Sequence, residues 1–402
     1  MSSKTNLSLF AVLAASALVA ATPVIKAGSV RFSQNADTRL VTIGYTLEDA
    51  DAVVTVDVLT NGVSIGEENF TNIDGDVNKR VAPGDRLIVW HPRASWPDHV
   101  FTNGVLSVKV RPWDVAIPPD YLVVDLTATI APVHYYVSTN ALPAGGLTND
   151  IYRTAKMVLR RIPAGATMWT MGSPESEKYL LPDTSFRYGA REMQRLVTMT
   201  NDYYLGVFPV TVAQHRYATG DQKVGGDTVP VTHETYVQLR GASDWPTTGH
   251  EVASGSDLMK WRNLTGVDFD LPTSAQWEFA CRAGTSTIFY FGSDTNKLSK
   301  YAWYKVNSGN ARHRVGEKIP NGFGLYDLYG NVWEWCLDWT GGISADPVVE
   351  PTGPDSSSES KRVGRGGMWA SDVDGCRSAK INPQVLTSGY GYRLLCPPTL
   401  KW

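Results

Sequence analysis

The stretch NGFGLYDLYGNVWEWCLDW (321–339) limits the possible folds of this chain more than any other segment. Its three tryptophans, Trp333, Trp335 and Trp339, stand among glycines and short polar residues, a pattern of tight turns around large anchors. Asp327, Asn331, Glu334 and Asp338 place oxygen donors within twelve residues. A hard cation such as Ca2+ takes about six to eight oxygens, many of them backbone carbonyls at tight turns, and this segment could supply such a set. Read without a metal, the same residues are core anchors and turn caps. The pattern also extends beyond the segment. Ten of the thirteen tryptophans follow Trp113, so the aromatic anchors belong to the carboxyl-terminal two thirds, where long periodic segments are few.

The amino-terminal third has a different grammar. After MSSKTN, the run LSLFAVLAASALVAA (7–21) is apolar, shorter than the ~20 residues of a membrane-spanning helix, and ends in small residues. It reads as a secretory signal peptide (1–27), cleaved between 21 and 28. No cysteine follows to carry a lipid, and no later segment reaches transmembrane length. An exported protein (periplasmic, cell-surface or extracellular) is expected. From 28 to 133, segments 39–47, 52–62, 86–91, 105–113 and 121–130 alternate apolar and polar residues and end in turn clusters. Such spacing predicts an all-β sandwich of immunoglobulin-like type. His91 and His99 flank Trp96 with no carboxylate or cysteine cluster beside them, so loop and core roles are expected rather than metal ligation. Residues 134–156, with STNALPAGGLTND, read as a linker because Pro143, Gly145 and Gly146 break any regular pattern.

Beyond 157, helices are predicted at about 212–218 and 274–283, the second opened by Thr273 as N-cap with Gln276 three residues on. No GxSxG, HExxH, P-loop or CxxC motif is present, and the seven histidines show no metal-pair spacing. The 37 basic and 40 acidic residues give a net charge of −3, which argues against a nucleic-acid partner. Cys281, Cys336, Cys376 and Cys396 all lie in the last third. An oxidising compartment would permit disulfides, but spacing does not choose among the pairings.

Several blocks in order carry a resemblance: MVLRRIPAGATMWTMGSPESE (157–177), LGVFPVT (205–211), FDLPTSAQWEFACRAGT (269–285), the 321–339 segment, RVGRGGMW, CRSA and GYGYRLL (389–395). Residues 157–400 thereby resemble the formylglycine-generating enzyme (sulfatase-modifying factor) family, whose fold is related to C-type lectins. The fold class implied is α+β: a sandwich followed by a family domain rich in irregular loops. The resemblance implies a structural Ca2+ held by the Asp327 and Glu334 side chains with the Gly330 and Val332 carbonyls. A further family Ca2+ site near YAWYKVNSGN has no matching ligands that can be assigned. The family's oxidases bind copper through two cysteines five residues apart after Gly-Gly-Ser. Here Met368 stands at that serine and Ser371 at the first cysteine. An ungapped count puts Cys376 at the second. CRSA instead makes Cys376 the disulfide partner of Cys281, with the second thiol position deleted and Cys336 and Cys396 left over. At most one copper thiolate remains on either alignment, and a serine oxygen replaces soft sulfur poorly, so copper is not expected. The iron chemistry of related sulfoxide synthases needs a helical domain, which the β-rich amino-terminal region does not offer.

Two functions follow. One is an exported, Ca-stabilised binding or surface-interaction module without the copper pair, taking an unknown exported protein, peptide or glycan. The other is an oxidoreductase of the same family with altered active-site chemistry, for which Met368, Ser371 and Cys376 are the positions to inspect.

Overall fold

Strict alternation makes the first unit. Along Val41–Glu48, residues Val41, Ile43, Tyr45 and Leu47 are buried and those between them are half-exposed, as a strand with one face on a core requires. The computed structural model describes residues 21–398 apart from 67–68, 71, 98–105, 128–132, 175–176, 178–190, 233 and 242–244. Most of the expected signal segment and His99 lie outside the described residues. The strands of this unit are β1 (Val24–Ile25), β2 (Arg31–Gln34), β3 (Val41–Glu48), β4 (Ala52–Thr60), β5 (Val63–Ser64), β6 (Ile73–Gly75), β7 (Arg80–Val81), β8 (Gly84–Trp90) and β9 (Leu106–Asp114), with a one-turn helix α1 (Pro92–Ser95) after β8. One sheet runs β1-β3-β8-β6 with β2 also on β3; the other runs β5-β4-β7 with β9 also on β4. Ile43, Val54, Val58, Ile88 and Trp90 fill the space between them. His91 sits at the surface with Nε2 3.1 Å from Asp74, a loop role as expected.

The strand sought at 121–130 belongs to the other unit. Observed as β10 (Tyr121–Asp125), it lies between β11 (Val133–Tyr136) and β12 (Lys156–Ile162) in the sheet β11-β10-β12-β15-β20, where β15 is Tyr203–Gly206 and β20 Leu395–Cys396. The physical reason is visible in YLVVD. Leu122, Val123 and Val124 are consecutively buried. Leu122 and Val124 join one core cluster and Val123 another, so the strand needs cover on both faces. The segment that reads as a linker is likewise structured: Leu142 and Tyr152 are buried in the same cluster as Val123. The units also touch, since Val53 packs into the second unit's core and the Tyr135 N–H donates to the Asn78 carbonyl at 2.7 Å.

Two smaller sheets complete the second unit. One is β13 (Thr167–Met171), β14 (Arg195–Met199) and β17 (Val348–Val349); the other is β16 (Glu334–Trp339), β18 (Lys361–Arg365) and β19 (Asn382–Val385). Its helices are α2 (Val212–Thr219), α3 (Tyr236–Arg240), α4 (Asp257–Thr265) and α5 (Ser274–Arg282). The two helices expected from the sequence are present, and α5 begins with the Thr273–Gln276 capping box. Thr211–Gln214 and Thr235–Gln238 repeat that device on α2 and α3. Among the described residues no helix is long and apolar enough to cross a membrane. The protein is thus α+β, a sandwich joined to a loop-rich unit.

Because β10 covers one edge of β12, a chain beginning at residue 155 is expected to give insoluble protein without a cooperative melt. A chain beginning at 120 should melt cooperatively. Equal solubility and melting of the two truncations would contradict this topology.

Candidate functional site

The loop after β18 turns back on itself because it carries two glycines. Gly366 and Gly367 adopt φ of 92° and 82°. A Cβ on Gly367 would lie 2.9 Å from the Gly375 carbonyl oxygen and 3.0 Å from Cys376 Sγ, so only glycine allows the return. Ser371 Oγ accepts the Met368 N–H at 2.9 Å and closes the loop. Met368 and Trp369 then face a cleft of about 460 Å³, across from Val332, Trp333 and Tyr390. The Trp333 and Tyr390 rings stack with centroids 6.1 Å apart. Arg312 is the charged side chain among the described lining residues. Its two terminal nitrogens donate to the Pro230 and Val224 carbonyls at 2.7 and 2.8 Å.

Cys376 is behind this wall. It is fully buried, hydrogen-bonds to the Gly330 backbone, and burial pushes its thiol pKa well up. Thiolate is the form that ligates metal or attacks as a nucleophile, so this sulfur is inert toward the cleft. Ser371 offers a hydroxyl already engaged with the main chain. One buried thiol and one hydroxyl do not fit the paired soft sulfurs that Cu(I) takes.

The expected Cys281–Cys376 disulfide is not formed, and all four cysteines are buried free thiols. The partners explain why. Cys281, on α5, hydrogen-bonds to the Tyr329 and Ser378 hydroxyls, themselves 2.6 Å apart, and burial pushes its pKa up to about 12. Ser378 therefore occupies the place beside Cys281 that the CRSA alignment gave to Cys376. Two residues earlier, Cys376 turns to Gly330 and Gly367 instead.

Of the residues expected to hold calcium, Glu334 and Asp327 are both buried and engaged within the protein. Both Glu334 carboxylate oxygens are taken: Oε1 accepts from Arg393 Nη2 at 2.8 Å, and Oε2 from Trp277 Nε1 at 2.7 Å and Arg393 Nε at 3.1 Å. A fully buried guanidinium already supplies the positive charge at that position. Asp327 is buried, and its Oδ2 accepts the Gly316 N–H at 2.7 Å. Burial pushes its pKa up to about 6. Gly330 and Val332 lie on the same loop. The Gly330 N–H donates to the Gly366 carbonyl at 2.8 Å, and Val332 helps to line the cleft. The 321–339 segment is thus an anchor for Arg393 and a wall of the cleft. Arg393 and Trp277 were not foreseen because they lie 59 and 57 residues from Glu334 and share no local pattern with it.

Residues 155–396 match the family described as sulfatase-modifying factor enzyme 1-like domain. The chain belongs to this family. The mouse formylglycine-generating enzyme is 35% identical over 305 aligned positions, covering 62% of this chain and 78% of that protein. A protein of Paenibacillus barcinonensis named chaperone protein LppX is 28% identical over 211 positions, covering 43% of this chain and 71% of that one. The serine/threonine-protein kinase pkn1 of Chlamydia pneumoniae is 29% identical over 243 positions, 54% of this chain but only 37% of the kinase. Among solved structures, PvdO from Pseudomonas aeruginosa aligns over 60% of this chain with 22% identity and a TM-score of 0.45. Variable protein 1 of Treponema denticola does so with 24% identity and a TM-score of 0.46.

Within this family domain, Glu334→Gln should destabilise by roughly 3–5 kcal/mol, because it leaves the Arg393 charge buried and unpaired. Denaturant melts with and without Ca2+ check this, and a Ca2+ stabilisation of the native chain that Glu334→Gln loses would restore the metal reading. Ser378→Cys should link to Cys281 on mild oxidation while the native chain forms no Cys281–Cys376 bond. Peptide mapping without reductant distinguishes the two.

Proposed function

We propose that this chain is an exported binding module that uses the cleft of a formylglycine-generating-enzyme-type scaffold to hold a ligand rather than to oxidise a thiol. The observation that carries the reading is the division of the Gly366–Gly367 loop. Met368 and Trp369 face the cleft, and Cys376, the second thiol position on an ungapped count, is buried in the core. A concave site with aromatic walls and few charges suits a ligand with an apolar or ring-shaped body, such as a segment of an exported peptide or a glycan. Trp333 and Tyr390 are the anchors, since stacked, largely buried aromatic side chains supply contact area at low entropic cost.

Peptide and glycan arrays probed with the purified chain are expected to yield a ligand. Trp333→Ala or Tyr390→Ala should weaken its binding by about 2 kcal/mol, roughly thirtyfold. Blank arrays, or a ligand indifferent to both substitutions, would remove this reading. The competing oxidase reading is tested by incubating the chain with copper, oxygen and a CxPxR peptide. The mass of the aldehyde product would overturn the proposal.

A further inference from the structure

Three carboxylate and imidazole side chains that the cleft does not use converge in the core of the second unit. His215 lies on α2, Glu234 just before α3, and Asp257 in the first turn of α4, and all three are buried. One nitrogen or oxygen from each lies within 4.8 Å of the other two. Their positions are set independently. The Thr211 capping box fixes the start of α2, the Thr235 box that of α3, and Ser256 caps α4 by accepting the Met259 N–H at 3.2 Å. The site is therefore held by three helix starts rather than by loops.

Two observations separate this cluster from an ordinary buried ion pair. First, His215 Nε2 and Glu234 Oε2 lack a hydrogen-bond partner among the described residues, although both side chains are wholly buried, and Glu234 Oε1 has only the ammonium of Lys223 at 3.0 Å. Buried polar atoms are nearly always satisfied, so two such atoms in one place ask for a ligand. Second, the other face of the imidazole is already held. His215 Nδ1 lies 2.9 Å from Tyr392 Oη, and Tyr392 Oη accepts from Trp261 Nε1 at 3.0 Å. A histidine that donates Nδ1–H to such a partner presents the Nε2 lone pair forward, the arrangement in which metal-bound histidines are found.

The spacing has the right scale. Ligand atoms bonded at about 2.1 Å to one ion lie about 3.0–4.2 Å apart for angles between 90° and 180°. His215 Nε2 and Glu234 Oε1 are 3.7 Å apart. The nearby ammonium groups fit around an ion. Lys223 Nζ is 3.0 Å from Glu234 Oε1 and 3.2 Å from Asp221, so it keeps Asp221 if an ion takes Glu234. Lys260 Nζ pairs with Asp257 Oδ1 at 2.8 Å, an attachment that involves one oxygen only. Without an ion, Lys223 is the ammonium paired with the Glu234 carboxylate.

We infer that His215, Glu234 and Asp257 bind a divalent cation of the Zn2+ class. An imidazole nitrogen beside two carboxylates selects borderline transition ions and disfavours Ca2+ and Mg2+, which take all-oxygen shells. The ion ties α2 to the starts of α3 and α4 and stabilises the folded chain by mass action. The site lies outside the cleft and does not depend on the cleft's proposed role.

The test uses the full chain, stripped of metal by a chelator and titrated with Co2+, whose visible absorption reports coordination by nitrogen and oxygen. About one ion per chain is expected. Zn2+ should displace it, and either ion should raise the melting temperature. Glu234→Gln and Asp257→Asn should each weaken Co2+ binding at least tenfold, and Asp327→Asn should leave it unchanged. Lys223→Met removes the competing cation and should tighten binding, a result that a purely structural ion pair would not give. No cobalt spectrum with the native chain would overturn the site. So would a spectrum unchanged by Glu234→Gln in a folded variant. If Glu234→Gln does not fold, unchanged or weaker Co2+ binding by Lys223→Met has the same force.

Discussion

Buried guanidinium groups hold the second unit together. Arg240, Arg362, Arg365, Arg377 and Arg393 are all less than 2% exposed. A loop-rich domain has many main-chain carbonyls that no helix or sheet satisfies, and a buried one left alone is costly. Arginine answers this with a rigid fork of donors. Arg393 donates to the Gly206 and Tyr326 carbonyls, Arg282 to Thr287 and Gly172, Arg240 to Gly249, and Arg362 to Leu337. Each guanidinium then needs a counter-charge or a ring face. Glu334 serves Arg393, Glu278 lies between Arg282 and Arg365, Asp270 meets Arg240, and Glu192 and Asp374 share Arg377. Arg362 lies 3.4 Å above the Trp339 ring. Burial pushes the Asp270 carboxyl up, yet the hydrogen bond from His250 and the Arg240 charge hold it below the usual range. These pairs replace regular backbone ladders as the device that fixes loop against loop.

The cleft inherits its shape from this network. Arg365 donates to Ser274 Oγ at 2.7 Å and contacts Glu278, which pins the end of β18 to α5. The chain reverses at once through Gly366 and Gly367, so the following residues have little freedom. Trp369 and Met368 go to the cleft and Cys376 goes to the core. On the other side, Arg393 holds the segment before β20 to Glu334, and Tyr390, three residues earlier, stacks on Trp333. A binding surface and a hidden thiol come from one constraint.

Local patterns carried much of the fold. The alternation in β3, the cap at Thr273 and the two helices depend on near neighbours, and the family resemblance rested on blocks that are each contiguous. The misreadings share one cause, which is long range. β10 looks like one more sandwich strand until β11 and β12 bury both of its faces. Nothing near Glu334 in the sequence announces Arg393, which meets its carboxylate from 59 residues away. Cys376 looks like the partner of Cys281 until the fold sets Ser378 there. His215 shows no useful spacing, because its companions Glu234 and Asp257 come from two other helix starts.

By itself the sequence determined the family, the α+β class, the presence of a β-rich first unit and the residues on which the cleft is built. These depend on periodicity, caps and contiguous motifs, which survive being read one segment at a time. Only the tertiary structure decided which charges neutralise one another, which sulfur faces which hydroxyl, and which side of the Gly366–Gly367 turn meets solvent. Those outcomes depend on burial, and burial is a property of segments that meet only when the chain has folded.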